Sequence, residues 1–125
     1  MTELTTADDV YKHFIDDLVW RAKEMGGGAR LAELGDVVLE SKEDEKTFCE
    51  WLAQMSPSQR DLIVRVLQKE RHGGVHDTLV ALRDLVERDG IALTFNGEPL
   101  RAFVGDFHYD YVGRFQGDWE WPKNR

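Results

Sequence analysis

The sequence predicts an α+β fold, with an N-terminal body of four to five helices and a small C-terminal antiparallel sheet of three to four strands. Three observations predict it. Apolar residues recur at helical spacing as far as about residue 89. Beyond Gly90 the apolar period shortens to that of a strand. Asn96-Gly97 then supplies the strongest two-residue hairpin turn. The chain has 125 residues and no linker, repeat or low-complexity tract, so it reads as a single domain spanning 1–125, helical over 6–89 and stranded over 91–121.

The first helix opens at Thr6, a good N-cap followed by Asp8 and Asp9 in the first turn, where carboxylates complement the helix dipole. Val10, Phe14, Leu18, Ala22 and Met25 repeat at helical spacing, and Gly26-Gly27-Gly28 stops the run. Residues 29–40 are less regular, with a short helical turn expected around Leu31 and Leu34. Ser41 caps the next helix, with Asp44 in the third position and an apolar stripe of Phe48, Leu52 and Met55. Ser56-Pro57-Ser58-Gln59 is the clearest local signal: a cap, a proline suited to the first helical position, and a glutamine able to reach back. The helix it opens is expected to end at Gly73-Gly74, and a further helix to run from Val75 to Asp89 with Gly90 past its end. Ile91 to Phe95 reads as a strand, Pro99 places the return strand at an edge, and Phe107 to Phe115 reads as a second extended run leading to Trp119 and Trp121.

Composition excludes several classes. One cysteine, Cys49, can make neither an intrachain disulfide nor a CxxC metal site. The start of the chain lacks a basic, apolar secretory signal, and no window has the length of apolar sequence that crosses a membrane, so a cytoplasmic location is expected. The net charge of −8 argues against nucleic acid as a partner. That charge is concentrated: residues 1–50 carry 13 acidic and 6 basic side chains, a balance of −7, whereas residues 51–125 nearly balance. No phosphate loop and no Gly-x-Ser-x-Gly elbow is present.

Three groupings remain. On a helical wheel of residues 7–25, Asp9, His13, Asp16, Asp17 and Glu24 fall on the polar half, and Trp20 falls among them. An aromatic ring ringed by carboxylates suits the anchor of an acidic protein-binding surface; the plainer reading is that another segment covers it. The second grouping, His108, Asp110 and Arg114, lines one face of the expected strand, opposite Phe107, Tyr109, Tyr111 and Phe115. With Trp119 and Trp121 as walls it could hold a small ligand or move a proton, or it is the wet face of an ordinary amphipathic strand. The third is His72 and His76, spaced for one helix face and so weak candidates for a metal, but separated by the two glycines and lacking a third ligand. No metal and no cofactor is assigned.

The expectation is therefore a non-catalytic binding module whose acidic N-terminal helical face meets a basic protein or a second copy of itself, with a ligand-binding protein or enzyme built on the C-terminal cluster as the alternative. Size, acidity and the lack of catalytic motifs are similar in class to bacterial immunity and antitoxin proteins, which neutralise basic toxins, a likeness that no residue motif carries.

Overall fold

A computed structural model describes residues 3–24, 39–117 and 120–122. Among them are four helices and one hairpin: α1 (Ala7–Glu24), α2 (Lys42–Gln54), α3 (Pro57–Arg88), β1 (Thr94–Phe95), β2 (Glu98–Pro99) and α4 (Phe107–Gln116). The chain divides into two compact units, one of Met1–Arg21 with Gly74–Arg125 and the other Ala22–Gly73, so α1 and α3 each contribute to both. The irregular segment expected after the first helix lies largely outside the described residues.

The local signals produce the helix starts. The Thr6 hydroxyl accepts from the Asp9 N–H (3.1 Å) while the Asp9 carboxylate accepts from the Thr6 N–H (3.2 Å), a reciprocal cap. Hydrogen bonds from Thr6 and Thr5 hold the Asp9 carboxyl below its ordinary value. Ser41 caps α2 by accepting from the Asp44 N–H (3.2 Å). At Ser56 both halves of the box close: Gln59 N–H donates to the Ser56 hydroxyl (3.3 Å) and Ser56 N–H to the Gln59 amide oxygen (2.9 Å).

In the Ala22–Gly73 unit, Leu52 is fully buried, and Phe48, Met55, Ile63, Val64 and Leu67 pack against it. The Arg60 side chain crosses from α3 to the end of α2 and donates to the Leu52 carbonyl (2.8 Å), satisfying an acceptor that the helix terminus leaves free.

Two expectations are corrected here. The break at Gly73-Gly74 does not occur, because α3 runs through both glycines as one helix of 32 residues. Glycine inside a helix costs only about 1 kcal/mol relative to alanine, which the residues on either side outweigh. Neither glycine has a positive φ, and the Thr78 hydroxyl donates to the Gly74 carbonyl (2.7 Å) across the next turn. Gly90, at φ 68°, is where the helix stops, as its position past the last apolar residue implied.

Among the described residues the sheet is also smaller than expected, with two strands instead of three to four. The hairpin itself forms at Asn96-Gly97, with φ of 50° and 81°, both in the left-handed region that a tight hairpin turn demands. Thr94 pairs with Pro99 and Phe95 with Glu98. Residues 107–116, expected as a strand, form α4. Phe107, Tyr111 and Phe115 fit a helical repeat as well as an alternating one. Asp106 precedes them as N-cap, and Gly117 follows with φ 80° as C-cap. Packing of Phe107 and Tyr111 into the interior decides between the two periods.

Candidate functional site

The unit containing α4 is organised around a carboxylate. Asp110 is 0% exposed and accepts three hydrogen bonds: from the Tyr11 hydroxyl (2.5 Å), the Phe103 N–H (2.7 Å) and the Val104 N–H (3.0 Å). Burying a carboxylate is costly unless donors replace its water, and these three do so. They join α1, the 103–106 turn and α4 at one point. Around it the Tyr11 ring meets Phe103 (centroids 5.9 Å), Phe107 (5.9 Å) and Trp121 (5.8 Å). The Lys12 ammonium lies over the Phe103 ring, 5.1 Å from its centroid.

Next to this centre, Asp16 holds Arg114 and Trp121. Arg114 donates through Nε to Oδ1 (2.7 Å) and through Nη2 to Oδ2 (3.3 Å), and the Trp121 indole N–H donates to Oδ2 (3.1 Å). The guanidinium sits over the Trp121 ring, 5.5 Å from its centroid. Arg114 and Trp121 thus come together as the ligand reading required, but they converge on a carboxylate of the same chain. Trp119 lies outside the described residues.

His108 departs furthest from expectation. Placed by the strand reading on a wet face with Asp110 and Arg114, it is only 7% exposed. On a helix the three do not share a face, since His108 is offset from Asp110 by about 200° while Asp110 and Arg114 lie one turn apart. The His108 ring meets His76 of α3, centroids 5.2 Å apart and nearly perpendicular. Burial pushes its pKa below the ordinary histidine value, and the neighbouring His76 and Arg83 act in the same direction against Asp106 and Asp84. His72 and His76 do belong to one unbroken helix. Among the described residues, however, no three His, Cys, Asp or Glu side chains gather to hold a metal ion, and neither histidine is assigned as a ligand.

The acidic face of α1 separates into two parts. Tyr11, Ile15 and Ala22 are its buried row. Asp9 is used in the cap, and Asp16, toward the flank, is used by Arg114 and Trp121. Roughly opposite the buried row, at 100° per residue, lie His13 and Trp20. Trp20 is 51% exposed and His13 is exposed. Asp17, one turn before Arg21, pairs with it at 2.7 Å. Glu24 is exposed at the helix end. The residues that sequence reasoning missed are Tyr11, which binds a carboxylate 99 residues away along the chain, and Phe103, whose N–H reaches the same carboxylate from seven residues before it. No local spacing could have announced Tyr11.

Taken together, the fold and these sites define a mainly helical protein with one small hairpin, a closed polar centre and an open aromatic position on its first helix. Residues 5–123 match the model of a family of unknown function, DUF6547, and the chain belongs to that family. No curated protein and no solved structure matches it. No helix among the described residues is long and apolar enough to cross a membrane.

Proposed function

We propose that this protein is a non-catalytic binding module that docks a basic protein partner on the solvent face of α1, with Trp20 as its anchor. The observation that carries this reading is the half-exposed indole opposite the buried row of Tyr11 and Ile15. Trp buries more area per side chain than other residues and dominates the energetics of interfaces that cover it. The excess negative charge of residues 1–50 supplies the long-range attraction that speeds encounter with a positive surface. The cluster behind the alternative reading has less to offer a ligand, because Asp110 and Arg114 spend hydrogen bonds on groups of the same chain.

Capture from the native cell tests the proposal, using wild type, Trp20→Ala and Trp51→Ala as baits. Trp51 is the matched control, since it is exposed to 57% on α2. A basic protein held by wild type and Trp51→Ala, released by salt and lost with Trp20→Ala, is the expected result. Equal capture by all three baits would refute the role of Trp20. A homodimer by light scattering that dissociates on Trp20→Ala would replace the basic partner with a second copy of the chain.

A further inference from the structure

We propose that His108 makes the seating of α4 against the C-terminal half of α3 acid-sensitive, the neutral ring holding the two helices together and the protonated ring loosening them. The geometry comes first. His108 projects from the first turn of α4 and is 7% exposed, its ring set against His76 of α3 at 5.2 Å between centroids. Its Nδ1 is buried and has no hydrogen-bond partner among the described residues. A neutral imidazole can leave that nitrogen as an unused lone pair. An imidazolium cannot, because both nitrogens are then donors and Nδ1 would become a buried N–H with nothing to accept it.

The charges around the ring act in both directions, and Asp106, the strongest of them, does not overcome the cost of burial. From α3 come His76, Arg83 and Asp84; from the turn before α4 comes Asp106; and the Tyr109 ring of α4 itself lies tilted beside it, centroids 4.3 Å apart. Arg83 lies between the two carboxylates, 2.9 Å from Asp84 and 3.5 Å from Asp106. An imidazolium at His108 would have to compete with that guanidinium for them. His76 is partly solvated, with Nδ1 at 3.4 Å from Asp77, and its effect on a proton at His108 is unfavourable.

Desolvation, joined by His76 and Arg83 and opposed by Asp106 and Asp84, sets the His108 pKa below 6.5. The folded ring therefore binds its proton less readily than the same ring in an unfolded or locally opened chain. The open state holds more protons between the two midpoints. The stabilisation is present above about pH 6.5 and is lost as pH falls from there through the lowered folded value. Each unit by which the midpoint is lowered corresponds to about a tenfold rise in the open population. Because Asp110 binds the Phe103 and Val104 N–H groups, the 103–104 segment is expected to move with α4.

The test follows the histidine ring and the α4 amides of the full chain in one pH series. NMR is expected to show His108 titrating below 6.5. Amide-exchange protection factors in α4 are expected to drop over that range while those of α2 hold. His108→Gln should abolish the drop, and His76→Gln, which removes a like charge, should raise the His108 midpoint. A His108 midpoint at or above 6.5 overturns the proposal, as does an undiminished loss of α4 protection in His108→Gln. Should that variant fail to fold, an unmoved His108 midpoint in His76→Gln overturns it independently.

Discussion

Asp110 and Trp20 invert the usual placement of their residue types. The carboxylate is wholly buried and the indole is half exposed. The inside position is stable because Tyr11, Phe103 and Val104 donate to it, so the ionic group serves as a structural joint. The outside position has no comparable internal explanation in the described residues, and an indole left half in water still has a large apolar area that a partner could cover. A buried polar group surrounded by its own chain is thus evidence of architecture, while an exposed aromatic one is the better pointer to a partner.

Four substitutions probe that contrast. Asp110→Ala should have the largest effect, because it leaves three donors around a buried cavity without an acceptor. A loss of about 3–5 kcal/mol in chemical denaturation is expected, and a loss below about 1 kcal/mol would show that the centre is not the joint described. Tyr11→Phe removes one of the three bonds and keeps the ring stacked on Phe103. About 1.5–3 kcal/mol is expected, the range for a hydrogen bond to a charged group. Gly74→Ala should stabilise by about 0.5–1 kcal/mol, since a methyl group there meets nothing within 4 Å and the residue lies inside a helix. A destabilised variant would mean that the mid-helix glycine serves a bend or an opening. Trp20→Ala should change the melting behaviour least, by about 0.5 kcal/mol or less, while having the largest effect on partner capture. If it costs several kcal/mol instead, the ring belongs to the core and the proposed interface fails.

The α4 segment shows how far the sequence could be read. Phe107, His108, Tyr109, Asp110 and Tyr111 alternate aromatic and polar as a strand would. The same stretch, with Phe115, also repeats every fourth residue as a helix would. A period of two and a period of four coincide over ten residues, so periodicity alone could not choose. The end signals could have tipped the balance: an Asp before the run, Arg114 in its last turn and Gly117 after it. The strand reading put His108 with Asp110 and Arg114 on a wet face, and the helix separates them. Gly73-Gly74 is a related case, because a local stop signal of about 1 kcal/mol per glycine is too weak to end a helix that continues on both sides of it.

What the sequence determined by itself is whatever depends on near neighbours. Thr6 with Asp9, Ser41 with Asp44 and Ser56 with Gln59 close their caps within three residues, and Asn96-Gly97 carries its turn in its own backbone angles. Tertiary structure alone decided that Tyr11 meets Asp110, that Asp16 meets Arg114 and Trp121, and that His76 meets His108. The physical reason is distance along the chain. A cap forms from groups the backbone already holds together, whereas a buried carboxylate or imidazole takes its partners from segments brought near only when the apolar faces of the helices pack.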